Sequence, residues 1–146
     1  MNISEEIIKE IVKVVMNQPG IITGKDSEAF EKTRDASGII GVKTDTVVCE
    51  PFQGRNDVRL KDILTLDEAP RMGAGIMELD HTSFEWTLTY DEYDMVIEGH
   101  LEIEIDGRVV KAGPSDIIYI PKGSHIHFQT QDAVRYAYFV YPADWQ

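Results

Sequence analysis

A period-two pattern between Phe84 and Gly107 limits what this chain can fold into more than any other feature does. Phe84, Trp86 and Leu88 recur at every second position, which predicts a strand with one apolar, aromatic face. Farther along, apolar and polar residues alternate cleanly, and the apolar set is Leu101, Ile103 and Ile105. Between the two patterns, Tyr90 to Asp94 predicts an acidic turn with three carboxylates. We expect a sheet with one buried face, and a functional site near those carboxylates.

The remainder of the chain from Ile39 continues in short apolar and β-branched runs separated by turn residues, without a helical period. Asp106-Gly107 is the dipeptide typical of a two-residue hairpin, because both positions tolerate positive φ. Many short strands at regular spacing favour a sandwich or barrel closed on itself. The sequence therefore predicts an all-β domain over residues 39–146.

The N-terminal region has a different pattern, with apolar residues at helical spacing. Ser4 to Met16 predicts a short amphipathic α-helix that ends at Pro19-Gly20, and its apolar face carries Ile7, Ile8, Ile11, Val12 and Val15. A helix this short is unstable alone in water, so it must dock on something. We expect residues 1–20 to form this helix and residues 21–38 to form a polar linker.

Composition excludes several classes of function. The chain has 26 acidic and 14 basic residues, a formal net charge of −12, which repels nucleic acid and anionic membrane surfaces. Cys49 is the single cysteine, so an intrachain disulfide is impossible and a reducing compartment is expected. No apolar run is long enough to span a bilayer. These features predict a cytoplasmic protein without nucleic-acid or membrane partners.

Longer strings within the chain resemble known motifs. V-I-E-G-x-L-x-I-x-I-D-G and I-P-K-G resemble the two motifs of the cupin superfamily. F-x-W-T-L-x-Y-D-E-x-D-x-V-x-E-G, I-P-K-G-S and Y-P-A-x-W together resemble the EutQ family of ethanolamine utilization proteins. The resemblance covers roughly the C-terminal two thirds of the chain and implies a cupin jelly roll, or double-stranded β-helix.

The cupin motifs place three histidines and a glutamate on one metal, and most of those ligands are replaced here. The glutamate position falls on Glu92, which is retained. The other positions fall on Trp86 and Leu88 (or Glu85 and Thr87 if the gap is one residue longer), Ile126 and, for the asparagine of the second motif, Thr130. His125 and His127 flank Ile126, so they should face away from it, although a bulge would turn them inward as a metal pair. We expect no tightly bound transition metal.

Strand alternation suggests which residues surround the cupin cavity. If Glu92 points inward, Asp94 and Val96 do too, with Trp86 and Leu88 across the hairpin and Tyr90 and Asp91 at the rim. Two buried carboxyl groups raise a pKa or recruit a cation, so Glu92 and Asp94 are candidate catalytic residues and a candidate Mg²⁺ site. Lys122 is the third candidate catalytic residue. The remaining candidates for the pocket or the substrate are Ser124, Lys43, Phe52, Met77, Tyr119 and Tyr138.

The resemblance implies a role in ethanolamine breakdown, with acetate kinase activity on ATP and acetate and Mg²⁺ as the ion. Alternatives are a non-catalytic scaffold, a module that binds a small molecule or a microcompartment shell, and a transition-metal cupin using His125 and His127. The resemblance also implies a homodimer that works with shell or pathway proteins, within or at the surface of a bacterial microcompartment. The N-terminal helix would then serve either for targeting or for docking on the barrel or a second subunit.

Overall fold

The computed structural model describes the backbone of residues 22–23 and the whole of residues 29–145. The helix predicted at Ser4 to Met16 lies outside the described residues, so both of its roles stay predictions. The described chain is almost entirely β-structure, with one 3₁₀ turn at Thr44–Thr46. Within the described ranges, no helix is long and apolar enough to cross a membrane.

The chain falls into two compact units with their boundary between Val48 and Cys49. The first unit holds a three-stranded antiparallel sheet in the order β1 (Ile22–Thr23), β2 (Lys32–Arg34) and β3 (Ile40–Val42). The 3₁₀ turn joins it, since Thr46 Oγ1 accepts a 2.9 Å hydrogen bond from the Glu31 amide. Part of the predicted polar linker is therefore strand, whereas the division into helix, linker and barrel domain stays a prediction.

The second unit is built from eight antiparallel strands. They are β4 (Glu50–Phe52), β5 (Arg55–Asp62), β6 (Gly73–Thr87), β7 (Asp91–Gly99), β8 (Leu101–Ile105), β9 (Arg108–Ala112), β10 (Ile117–Ile120) and β11 (His125–Tyr141). The main sheet has the order β10-β7-β11-β6-β5-β4, and β8 pairs with β11 and β9. The architecture is all-β, as the short alternating runs predict.

Strand β11 organises this unit because it pairs on both of its edges. It pairs with β6 along nearly its whole length, with β8 near its start and with β7 over its second half. A register shift between Thr130 and Ala133 marks a bulge where the strand bends from one partner to the next. Through these pairings, β11 brings the strands of both cupin motifs against a common interior.

The turns follow the chemistry that the sequence indicates. Asp106 (φ 50°) and Gly107 (φ 80°) form the two-residue connection between β8 and β9, which confirms the predicted hairpin. Gly99 (φ 80°) is the last residue of β7, and a Cβ at this position would overlap the Ala133 carbonyl oxygen. Glycine is therefore required at Gly99 by both the backbone angle and the close approach of β11.

Alternation along the strands decides which side chains enter the core. In β7, Glu92, Asp94 and Val96 are buried, whereas Tyr93 and Met95 face outward. The core consists mainly of aliphatic and aromatic side chains, among them Val58, Leu79, Leu88, Leu101, Ile103, Ile118, Ile120, Ile126, Phe128 and Tyr136. Strand pairing thus carries the two acids of β7 into an otherwise apolar interior.

Candidate functional site

An aromatic pocket opens into the interior of the second unit. It is lined by Phe52, Leu60, Met77, Phe84, Trp86, Tyr90, Glu92, Phe128, Tyr138, Val140 and Trp145, and its volume is about 330 Å³ including the part open to solvent. Most of that space is open to solvent, because the enclosed part is only about 20 Å³, which is room for about one water. Glu92 is the one carboxyl group among these side chains, so it is the polar end of an apolar space.

Glu92 and Asp94, the carboxyl pair, are held inward by β7. Glu92 lies opposite Ile120 of β10 and Val140 of β11, and its exposed fraction is 4%. Asp94 is fully buried, and neither of its carboxyl oxygens has a hydrogen-bond partner among the described residues. Leaving both oxygens of a buried carboxyl group without hydrogen bonds costs free energy, so the carboxyl pair by itself destabilises the fold.

Burial governs the ionisation of this pair. Loss of hydration raises the pKa of Glu92 to about 7, although the neighbouring Asp94 and Tyr90 side chains offset part of the increase. Burial, and then the charge of Glu92, raises the pKa of Asp94 well above its usual range. The pair therefore retains a proton near neutral pH. It can donate a proton, accept one or bind a cation.

The pocket walls are mutually packed aromatic rings. Phe84 stacks on Trp86 with ring centroids 5.6 Å apart, and Phe52 meets Trp86 edge-on at 5.8 Å. Trp145, near the end of the chain, lies 6.0 Å from Trp86 and closes the ring of aromatics. The Trp86 indole donates a 2.7 Å hydrogen bond to the Tyr90 hydroxyl, which fixes both side chains.

One exposed carboxylate on β5 fixes the far wall of the pocket. Asp62 Oδ1 accepts hydrogen bonds from the Tyr138 hydroxyl at 2.5 Å and from the Trp145 indole at 3.3 Å. Across the sheet, a Cβ at Gly75 would overlap the Tyr138 phenol, so glycine leaves the room that this ring needs. Sequence reasoning missed the roles of Asp62, Trp145 and Gly75; the Y-P-A-x-W string was the only signal that pointed to Trp145.

The structure brings several predicted pocket residues together. Phe52, Met77, Trp86 and Tyr138 line the aromatic pocket, while Leu88 is fully buried in the core. Tyr90 was predicted at the rim, but it is buried against Trp86 and Trp145, because the chain turns inward just before β7 begins. The acidic turn is likewise mostly strand, since β7 starts at Asp91.

The rim of the barrel is organised by Asp91. Its Oδ1 accepts hydrogen bonds from the Lys122 amide at 2.8 Å and from the Tyr119 hydroxyl at 3.1 Å. Tyr119 was a candidate for the core or the cavity lining, and it belongs to neither: 52% of it is exposed, because Ile118 and Ile120 take the inward positions of β10. Asp91 thus serves to hold the turn that follows β10.

The turn carrying Lys122 has few free amides with which to hold a phosphate. The Gly123 amide donates to Leu88 at 2.8 Å, and the Ser124 amide and hydroxyl both donate to the Pro121 carbonyl. Lys122 is exposed and does not line the aromatic pocket. Lys43 belongs to the first unit, where its Nζ lies 3.8 Å from Glu31. The catalytic and substrate roles predicted for Lys122, Ser124 and Lys43 stay predictions.

The positions at which the cupin motifs carry metal ligands lie close together here, and they hold the replacement residues that the sequence predicts. Trp86 lies directly opposite Ile126, and Ile126 is buried. His125 and His127 face outward, as predicted, where they pair with Glu85 at 2.7 Å and Glu104 at 3.4 Å. This orientation disfavours the reading in which both histidines hold a transition metal.

The carboxyl pair does not by itself complete a metal site. No group of three or more His, Cys, Asp and Glu side chains within residues 29–145 could hold an ion. Mg²⁺ requires near-octahedral oxygen ligands and keeps several of its waters, whereas the walls around Glu92 are aromatic and aliphatic. The described residues therefore do not fit the Mg²⁺ that the resemblance implies, and we derive no chemical step through it.

Comparison with solved structures identifies the fold of this barrel. The cupin domain of Schizosaccharomyces pombe Cnp3 superposes with a TM-score of 0.59 over 70% of this chain and 73% of that one, at 14% identity. At that identity the likeness concerns the fold alone. The all-β jelly roll therefore has the cupin fold, which confirms the predicted fold class.

The family follows from closer relatives. The model of the ethanolamine utilisation protein EutQ matches residues 3–146. A Clostridioides difficile protein named acetate kinase EutQ is 42% identical over 99% of this chain and 95% of its own length. The structure of the Clostridium difficile EutQ protein superposes with a TM-score of 0.75 at 47% identity, over 80% of this chain and 89% of that one. This chain belongs to the EutQ family of ethanolamine utilisation proteins.

Proposed function

We propose that this protein catalyses acetate kinase-type phosphotransfer, in which ATP and acetate give ADP and acetyl phosphate, within ethanolamine utilisation. The name of the Clostridioides difficile relative, 42% identical over 99% of this chain, supports the reaction. The observation that carries the proposal is the protonatable Glu92 at the end of a small apolar pocket. Acetate has one methyl group and one carboxylate, which match the two ends of that space.

Acetate would bind with its methyl group against the aromatic walls and its carboxylate toward Glu92. A protonated Glu92 donates a hydrogen bond to one acetate oxygen, and the other oxygen is left to attack the γ-phosphorus of ATP. Hydrogen bonds between a carboxylic acid and a carboxylate are short and strong in a site with little water. Because the proton must be present on Glu92, acetate should bind more tightly below its pKa of about 7.

The phosphate side of the reaction needs positive charge, which the aromatic pocket does not supply. None of the residues lining the pocket is a lysine or an arginine. We assign the triphosphate contact to Lys122, whose turn is joined to the rim through the 2.8 Å hydrogen bond to Asp91. Phosphoryl transfer depends mainly on positioning and charge neutralisation, so one lysine at the rim is a meaningful contribution.

Replacement of Glu92 by leucine tests this proposal. Glu92→Leu keeps roughly the size of the side chain but removes the hydrogen-bond donor, so acetyl phosphate formation should fall at least about tenfold, about 1.4 kcal/mol. Production of acetyl phosphate from acetate, ATP and Mg²⁺ is followed by trapping with hydroxylamine. Glu85→Leu is the matched control, because Glu85 is exposed on the outer face of β6.

Two outcomes and one further control separate the possibilities. If wild-type protein forms no acetyl phosphate, the phosphotransfer proposal is wrong. If wild-type protein is active and Glu92→Leu is equally active, the site lies elsewhere, and Lys122→Ala is the next variant to assay. His125→Ala should be nearly silent in either case, because His125 faces outward and pairs only with Glu85 in the described region.

A second candidate function is that of a non-catalytic interaction module, which one surface favours. Three adjacent strands, β10, β7 and β11, expose an outer apolar patch made of Tyr93, Met95, Ile117, Tyr119, Phe139 and Tyr141. Contiguous apolar patches on a protein surface often mark interaction sites. We propose that this face binds a second copy of the chain, or a shell or pathway protein of a bacterial microcompartment.

A further inference from the structure

We propose that the aromatic pocket is also a binding site for a small organic ammonium ion, which lies against the aromatic rings from the open side with its positive charge toward Glu92. This inference concerns a ligand of the opposite charge to acetate, and it holds whether or not the protein transfers phosphate. If both proposals hold, the ammonium ion competes with acetate for the pocket. Three observations carry it.

The first observation is that Glu92 faces the pocket without a basic partner. The ionisable groups around Glu92 come from three places. Asp94 lies on β7 and Tyr90 directly precedes it, while Tyr136 and Tyr138 lie on β11. Asp62 lies behind Tyr138. The lining from β4, β5 and β6 is Phe52, Leu60, Met77, Phe84 and Trp86, and Ile120 of β10 lies opposite Glu92. An ionised Glu92 therefore meets no lysine, arginine or histidine among the lining residues.

The second observation is the unused hydrogen-bonding capacity behind Glu92. Both oxygens of the fully buried Asp94 lack partners among the described residues. Buried polar atoms in folded proteins are nearly always paired, so unpaired ones at a pocket indicate a missing donor. An ammonium group brings three N–H donors and one positive charge, which is the complement that a pair of carboxyl groups requires.

The third observation is that three donors of the walls already have partners. The Trp86 indole donates to Tyr90, while the Trp145 indole and the Tyr138 hydroxyl both donate to Asp62. What the walls present to a ligand is therefore mainly ring surface. Aromatic rings attract cations over their faces, by about 0.5–2 kcal/mol for each well-placed contact.

Size limits the ligand to a few heavy atoms. The pocket volume of about 330 Å³ includes space open to solvent, and the rings of Phe52, Trp86 and Trp145 lie only 5.8–6.1 Å from one another. The enclosed part, about 20 Å³, holds little more than an ammonium group, so the two or three carbons of the ligand would lie toward the open side of the pocket. Ethanolamine is a suitable probe, because it combines that size with the compound for which the family is named.

A series of probes of equal size and different charge tests the inference. Binding of ethanolamine, ethylene glycol and acetate is measured by isothermal titration calorimetry near pH 8, in a buffer without primary amines and without ATP. Ethanolamine should bind at least about tenfold more tightly than ethylene glycol, because the two differ only in the charged group. Glu92→Gln should lose at least about tenfold of the ethanolamine affinity, and Glu85→Gln should lose none.

Equal binding of ethanolamine and ethylene glycol would overturn the inference, as would full ethanolamine affinity in folded Glu92→Gln. If Glu92→Gln fails to fold, Asp94→Asn replaces it, with a circular dichroism spectrum to confirm the native sheet. The inference and the phosphotransfer proposal fail separately. An inert protein that binds ethanolamine refutes only phosphotransfer, whereas an active kinase that does not bind ethanolamine refutes only the ammonium site.

Discussion

The carboxyl pair should make this protein less stable as pH rises through neutrality. In the folded protein the pKa of Glu92 is about 7, against an ordinary value of 4.5. Below about pH 4.5 the group is protonated in both the folded and the unfolded state, so it contributes no pH dependence. Between these two values the unfolded chain releases the proton and the folded chain keeps it, so the free energy of unfolding falls with rising pH.

The size of this effect follows from the shift itself. An increase of roughly 2.5 pKa units corresponds to about 3 kcal/mol, and the shift in Asp94 acts with the same sign. Glu92 is almost fully buried, so solvent screening does not reduce this value much. A loss of about 3 kcal/mol is a large fraction of the 5–15 kcal/mol that typically stabilises a domain.

The assay compares wild-type protein with Glu92→Gln by urea denaturation at several pH values from about 4.5 to 8, in buffers without primary amines. The free energy of unfolding of the wild type should fall by about 3 kcal/mol more than that of the variant over this range. Glu85→Gln provides a control, because the hydrogen bond from His125 lowers the pKa of Glu85, and the stability from this group is lost only as pH falls below about 4.5; its pH profile should therefore match the wild type over this range. Parallel pH profiles for wild type and Glu92→Gln would refute the reasoning, since burial of Glu92 would then have no energetic consequence.

Two further variants test the packing and the outer surface. Gly75→Ala places a Cβ where the Tyr138 phenol lies, so it should lower the free energy of unfolding by about 1–3 kcal/mol in urea denaturation. Gly41→Ala is the control, because its Cβ would meet open space and should change stability little. Equal effects of the two substitutions would contradict the close approach of Tyr138 to Gly75. Replacing both Tyr93 and Ile117 by lysine should leave the melting temperature nearly unchanged and convert a dimer to a monomer in light scattering, and an unchanged dimer mass would place the interface elsewhere.

Strand alternation explains why much of the fold and the direction of the acids were predictable. The period-two pattern of β8 and the Asp106-Gly107 turn gave the hairpin, and the same period carried Glu92 and Asp94 inward once β7 was in place. Alternation also sends Tyr119 outward when Ile118 is inward. The error at Tyr119 came from treating it as a lone aromatic residue and not as a member of β10.

Other parts of the site could not be predicted because local patterns do not encode them. Tyr90 precedes β7, where alternation gives no orientation, and its burial depends on the indole of Trp86 in the preceding strand. Asp62 and Trp145 are 83 positions apart and meet only because the sheet brings both to the rim of the pocket. Contacts at this separation follow from strand order and register, which residue spacing alone does not fix.

The replaced metal ligands leave an energetic imbalance that indicates a ligand. Where a metal would balance the charge of Glu92 in other cupins, this barrel has Trp86 and Ile126, and Asp94 lies buried beside Glu92. Apolar residues of similar volume at the positions of Glu92 and Asp94 would remove the free-energy cost of burying carboxyl groups, and such replacements often stabilise a protein. Aromatic walls cannot satisfy the oxygens, so compensation must come from a proton at low pH or from a positively charged ligand at higher pH. The carboxyl pair therefore lowers the stability of the barrel, which is expected of residues that serve to bind a ligand.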